Sequence, residues 1–179
     1  MFPNAPKIRT DTAPEKLNII YLWVVSIYTI LNGENVMKIP EKTIIIVEAT
    51  IHAPVDIVWK LWTEPTHIIH WNNASDDWQT TRAENDLRAD GRFLSRMEAR
   101  DGSSGFYFSG KYTRVEEHKQ IESTLDDGRN VQVLFVPRGN VTAVTEAFEA
   151  EQENPVELQK EGWQAILNNF KKYVEAHGK

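Results

Sequence analysis

The chemistry open to this sequence rests on few residues, and one carboxylate stands apart. In Val141-Thr142-Ala143-Val144-Thr145-Glu146-Ala147-Phe148 the β-branched residues predict a strand, and Glu146 shares parity with Val144 and Phe148. With that face turned inward, Glu146 looks into an apolar space, its pKa is raised, and it can serve as acid, base or ligand anchor. Two other outcomes stay open: the opposite face is the inner one, or Arg82, Arg92 or Arg96 pairs with the carboxylate. His67 and His70, spaced i, i+3, can face one way on a short helix near Asp76 and Asp77, and two imidazoles with a carboxylate form a zinc or iron donor set. No further ligand follows at a recognisable spacing, so no metal is expected. His52 and His118 stand alone and read as solvated loop residues. Ser103-Ser104-Gly105 reads as a turn and not a nucleophile elbow, and Gly102 to Gly105 is too short for a phosphate loop. The chain has no cysteine, which excludes thiol catalysis, iron–sulfur clusters and cysteine-ligated zinc. No cofactor is expected.

The elements that must position these groups follow from pattern. Thr43 to Ile51 is rich in β-branched residues and predicts a strand ended by His52-Ala53-Pro54. Val55, Val58, Trp59 and Trp62 fall at helical spacing, with Pro54 suited to the first turn. Glu64-Pro65 breaks that helix, and Thr66 to Trp71 predicts a second short one. At least five strand-like stretches follow, divided by turns at Asp90-Gly91, Asp101-Gly102, Asp127-Gly128 and Arg138-Gly139-Asn140, which makes an antiparallel meander. A long terminal helix is predicted with Asn154 as N-cap, Pro155 first and Glu157 third. Its apolar stripe is Val156, Trp163, Ile166, Leu167, Phe170, Tyr173 and Val174, and Gly178 ends it.

Composition sets the bounds on partners. The 179 residues are 41% hydrophobic and 26% charged, ordinary for one globular domain with a tail. A net charge of −6 repels phosphate backbones and anionic headgroups, so neither nucleic acid nor a stable membrane insertion is expected. With 6 Trp, 7 Phe and 5 Tyr, a large aromatic interior is available. Residues 1–36 read differently from the rest. The apolar run Ile19 to Leu31 is shorter than the roughly 20 residues a spanning helix needs, and no small-residue cleavage pattern follows it. Met37 is the expected initiator, with 1–36 a mis-annotated extension; a membrane-associating segment is the alternative. Residues 37–179 form the expected domain, and the cytoplasm its expected location.

The residues now resemble a known superfamily. Val47-Glu48-Ala49-Thr50-Ile51-His52-Ala53-Pro54 ahead of Val58-Trp59, then Trp62-Thr63-Glu64-Pro65 and Trp71, resemble the START-like helix-grip (SRPBCC) superfamily. Gly91-Arg92-Phe93, Phe108-Ser109-Gly110-Lys111-Tyr112 and Gly162-Trp163 resemble the branch related to the activator of the heat-shock-protein-90 ATPase and to polyketide-cyclase-like proteins. The resemblance implies an α+β fold: a curved antiparallel sheet wrapped around the long C-terminal helix, with two short helices after the first strand. It also implies a deep cavity between that helix and the sheet.

Strand parity points to the same space. Phe93, Met97 and Ala99 share a face, as do Phe106, Phe108, Gly110 and Tyr112, and Val131, Val133 and Phe135 continue it. Trp163, Leu167 and Phe170 are set against it from the helix, and Trp71 and Trp78, with Asn72 and Asn73, rim its mouth. Each of these residues reads equally as plain core. Together with Glu146 they predict a site for a hydrophobic or amphipathic small molecule, oriented by Glu146 and Tyr112. A cyclase- or hydratase-like enzyme with Glu146 as acid or base is a second reading. A module that assists a chaperone is a third; it calls for an apolar patch outside the cavity, and none is visible in the sequence. A homodimer is compatible with the superfamily. Mass spectrometry of the native N-terminus tests the expected start: the first peptide begins at Met37, and any peptide from residues 1–36 rules that start out.

Overall fold

The β-branched runs pair into one sheet because their alternate side chains need a common apolar face. The computed structural model describes residues 42–178, so the expected boundary at residue 36 and the Met37 start lie outside the described residues. In chain order the elements are β1 (Ile44–Ile51), α1 (Val55–Thr63), α2 (Pro65–Trp71), β2 (Trp78–Asn85), β3 (Arg92–Ala99), β4 (Gly105–Glu116), β5 (Gln120–Leu125), β6 (Asn130–Arg138), β7 (Val141–Glu149) and α3 (Val156–His177). Every strand pair is antiparallel, in the order β1-β7-β6-β5-β4-β3-β2, so the meander is closed by β1 returning beside β7. This is the expected α+β helix grip. Register irregularities between Thr80 and Arg82 and between Tyr112 and Arg114 increase local twist and help the sheet curl. No described helix is long and apolar enough to cross a membrane.

The turns fall where the sequence marks them, with one addition. Gly128 takes a φ of 87°, which a side chain would disfavour. At Asp90-Gly91 it is Asp90 that takes the left-handed conformation, at φ 68°. Gly91 is required there for space, since a Cβ would sit 2.0 Å from the Asp86 carbonyl oxygen. The β4–β5 turn, by contrast, has no glycine or asparagine to announce it. His118 holds the left-handed position at φ 62°, and its ring lies edge-on to Trp59 at 5.8 Å rather than standing free in solvent. His52 is exposed to solvent as expected, though its ring lies 2.7 Å from a Glu175 carboxylate oxygen.

The long helix starts one residue later than its pattern suggests. Pro155 occupies the cap position and Val156 opens the helix, which puts Glu157 second and leaves no side-chain cap. Asn154 turns away because the Glu151 carboxylate accepts from both its backbone and side-chain N–H groups. Gln159 instead ties the preceding loop to the helix. Its amide donates to the carbonyls of Glu151 and Asn154, at 3.1 and 2.8 Å, and accepts from the Glu151 N–H at 2.9 Å. Gly178 ends α3 as expected, its N–H bonded to the Val174 carbonyl.

The core sits where α3 and α1 meet the β1 end of the sheet. Leu167, Phe170 and Val174 are fully buried against Ile45, Val47, Ile51, Val58 and Val144. On the sheet's outer face Ile44, Ile46 and Val136 stay exposed, an apolar surface that the sequence did not reveal. Replacing Phe170 by Ala is expected to cost about 3–5 kcal/mol and Val136 by Ala less than about 0.5 kcal/mol, read from urea unfolding. Equal effects would mean that the helix does not carry the core.

Candidate functional site

Farther from β1 the helix and sheet separate, and a cavity of about 680 Å³ lies between them. The strands supply its walls by parity: Phe93, Ser95 and Met97 from β3; Phe106, Phe108 and Tyr112 from β4; Ile121, Ser123 and Leu125 from β5; Val131 and Val133 from β6; Glu146 from β7. The helices supply Trp62 from α1, Ile68 and Trp71 from α2, and Leu158, Gln159, Gly162, Trp163 and Ile166 from α3. Asn72 and Trp78 complete the lining beside α2, while Asn73 faces away and accepts a hydrogen bond from Asn169 through its carbonyl. Phe106 and Leu158 line the cavity yet are 47% and 55% exposed, so they border its opening.

Three residues expected at the site lie behind it. Leu167 lies on the side of α3 buried in the core, and Phe170, in line with Gln159, Trp163 and Ile166, lies a turn farther along the helix, where the rings of Trp62 and Trp71 cover it at 4.7 and 4.8 Å. Phe135 is at the end of the sheet that α1 covers, with Trp59 edge-on at 5.2 Å and Trp62 edge-on at 5.7 Å. These side chains close one end of the cavity instead of lining it. The sequence also passed over Ser95 and Ser123, although Ser95 shares parity with Phe93 and Met97, and Ser123 with Ile121 and Leu125; small polar residues within an apolar face were the available signal.

Tyr112 contributes its ring alone. Its hydroxyl donates to Asn85 Oδ1 at 2.6 Å, and Asn85 Nδ2 donates to the Thr63 carbonyl at 2.6 Å, which ties β4 and β2 to the end of α1. Burial pushes the phenol up from its ordinary value, so it stays protonated. The proton of this hydroxyl is thus committed to Asn85. Trp163 spans the gap, stacked on Phe148 at 3.8 Å and edge-on to Phe108 at 5.8 Å.

Glu146 does face inward, with 5% of its surface exposed. Its register neighbours are Val47 on β1 and Val133 on β6. None of the candidate arginines reaches it: Arg82 pairs with Glu84, Arg92 with Asp126 and Arg96 with Glu98. The carboxyl has no hydrogen-bond partner among the described residues, and desolvation pushes its pKa up to about 8. His67 and His70 converge on Tyr173 instead of on the aspartates. His67 Nδ1 is 2.9 Å from the phenol oxygen, and the His70 ring stacks on Tyr173 at 5.8 Å. Among the described residues no three acidic, histidine or cysteine side chains are grouped to hold a metal ion.

The Glu146 pKa sets a stability signature. The folded state keeps this proton up to pH about 8, whereas the unfolded carboxyl loses it near 4.5. Between those values the unfolded chain binds fewer protons, so this group's contribution falls as pH rises, by about 1.4 kcal/mol per pH unit, and is flat above and below. Thermal melts across this window should show Glu146→Gln gaining on the wild type as pH rises. A constant difference between the two proteins would mean that Glu146 ionises normally in the fold.

Comparison with known proteins agrees with this geometry. The family model described as Activator of Hsp90 ATPase homolog 1-like protein matches residues 52–175. The solution structure of an AHSA1-like protein from Aeromonas hydrophila is 46% identical, with a TM-score of 0.72, covering 76% of this chain and 94% of that one. Chr148 from Cytophaga hutchinsonii is 48% identical, with a TM-score of 0.65, covering 74% of this chain and 92% of that one. Protein NE0264 from Nitrosomonas europaea, at 19% identity and a TM-score of 0.65, shares the fold. Comparison with curated proteins gives no match. The chain belongs to the AHSA1-like family, on the helix-grip fold that its sheet and terminal helix form.

Proposed function

We propose that this protein binds a hydrophobic or amphipathic small molecule in the cavity between the sheet and α3. The observation that carries the reading is the cavity itself. At about 680 Å³ it is within the range of small-molecule sites, and its walls are mainly aromatic and aliphatic side chains with a few polar groups. A ligand that buried on the order of 300 Å² of apolar surface would gain about 7 kcal/mol, of the size needed to offset the freedom lost on binding. The sheet and helix already hold the site open, so little ordering is required.

A second reading, catalysis with Glu146 as general acid, is favoured by the same carboxyl. It is protonated near neutral pH and has no internal partner to compete for its proton. Turnover by the wild type that Glu146→Gln abolishes while binding persists would support it.

Native mass spectrometry of the full chain purified from its host tests the binding reading. A stoichiometric low-mass adduct is expected, and Ser123→Phe, which projects a ring into the cavity, should lose it while unfolding cooperatively on heating. A clean unliganded mass, with no uptake from a library of fatty acids and aromatic compounds, would overturn the proposal.

A further inference from the structure

We propose, resting on the binding reading, that the cavity selects an aliphatic amine with an apolar body, its ammonium group paired with the Glu146 carboxylate among the aromatic rings. Three observations lead there. The first is the free carboxyl. Glu146 is buried in the wall without a hydrogen bond or counter-charge among the described residues, so its partner has to come with the ligand. The second is the surrounding aromatic surface. Trp62, Trp71, Trp78, Phe93, Phe108 and Trp163 present rings to the same space, and aromatic faces attract a desolvated cation. Trp163 stacks on Phe148, two residues along β7 from Glu146 on the same face. The third is the absence of a free cation in the lining among the described residues. The one lining arginine, Arg129, is held by Asp127 and the Glu149 carbonyl, so an anionic ligand would be buried without a counter-charge.

The groups facing Glu146 leave its titration to solvent and ligand. On β7 its face carries Thr142, Val144 and Phe148; on β1, Ile45 and Val47; on β6, Val131, Val133 and Phe135; on β5, Ile121 and Ser123. The α3 lining is Leu158, Gln159, Gly162, Trp163 and Ile166, none of them ionisable. Across the cavity Tyr112 is protonated and bonded to Asn85. At the margins Glu84 is paired with Arg82, and Glu151 is bonded to Asn154.

Proton balance makes the proposal specific. Near pH 7 the free Glu146 carboxyl holds its proton and an aliphatic amine in water is already an ammonium. Forming the ion pair requires the carboxyl proton to leave for buffer, so close to one proton is released per ligand bound. Affinity then rises about tenfold per pH unit up to about pH 8 and falls again once the amine loses its own proton near pH 10. A neutral ligand that accepts a hydrogen bond from the protonated carboxyl gives the opposite dependence, flat below pH 8 and weakening above it.

Calorimetric titration of the full chain with 4-phenylbutylamine, 4-phenylbutanol and 4-phenylbutanoate separates these cases. The amine should bind about tenfold or more tightly than the alcohol near pH 8, with the carboxylate weakest. Repeating the titration near pH 7 in buffers of different ionisation enthalpy should show the released proton. Glu146→Gln should bring the amine-to-alcohol ratio to within about twofold and remove the rise with pH. Equal affinity for amine and alcohol, or an amine preference that survives Glu146→Gln, overturns the amine assignment and leaves small-molecule binding standing. If the wild type takes up none of the three probes, the amine assignment fails; the binding reading falls with it only if the native protein also carries no adduct.

Discussion

The cavity depends on where the long helix touches the sheet. The Trp62 ring meets Phe170 of α3 edge-on at 4.7 Å, and Trp71 meets the same phenylalanine at 4.8 Å. Trp62 and Trp71 also meet each other, tilted at 5.0 Å, and Phe135 lies edge-on to Trp62 at 5.7 Å. These bulky rings hold together the three helices, of which α3 packs on β1 and α2 on β2. A straight helix seated on that cluster cannot follow the curl of β3 to β5, so a gap opens towards its N-terminal half. Protein interiors are close-packed, and a void of this size survives only where the surrounding frame is too stiff to collapse. The Tyr112–Asn85–Thr63 chain of hydrogen bonds adds stiffness by pinning two strands to the end of α1.

Charge is sorted by the same frame. Along the outer face of β2 to β5, Arg82, Arg92, Arg96 and Arg114 each find a carboxylate on the same face, in pairs that are largely exposed and so contribute little to stability. Among the described residues the inner faces of these strands carry no such cation, and the one arginine lining the cavity, Arg129, is held by Asp127. Glu146 is thus separated from the strand arginines by the thickness of the sheet. Isolation of this kind turns an ordinary carboxylate into a group with a pKa near 8, because nothing but solvent can stabilise its charge.

Much of this was legible in the sequence. Strand parity and helical spacing are local rules, and they were enough to place Phe93, Met97, Phe108, Tyr112, Glu146 and Trp163 around one space. What local rules could not supply was where along α3 the core ends and the cavity begins. Its apolar surface is wide enough to cover both. Phe170 falls on the same face as Trp163 and Ile166, and its contacts with Trp62 and Trp71, far from it in the chain, place it in the core beside Leu167. The helix start was misplaced for a related reason. Asn154 and Pro155 carry an N-terminal signal, but Glu151 captures Asn154, and the Gln159 amide holds the loop before the helix through the carbonyls of Glu151 and Asn154. His118 was read as a loop residue, but not its left-handed turn beside Trp59, because histidine is a residue type that local turn rules do not flag.

An unpartnered buried carboxyl needs a physical account, because it works against folding at neutral pH. Its desolvation is an energetic cost that an apolar side chain at the same position would not carry, and no hydrogen bond from the described residues offsets it. A structural role would require a partner, as Glu149 has in Lys42 and Asn130, where those contacts hold the carboxyl below its ordinary range. The two glutamates are three residues apart on one strand and show the contrast directly: one is anchored to its neighbours and ionised, the other is held protonated beside empty space. Groups whose pKa is shifted by burial beside a cavity, with no structural partner, are candidates for a functional role. The carboxyl and the cavity are therefore one feature of the fold. The Trp62–Phe170 contact keeps the space open, and the space keeps Glu146 without a partner.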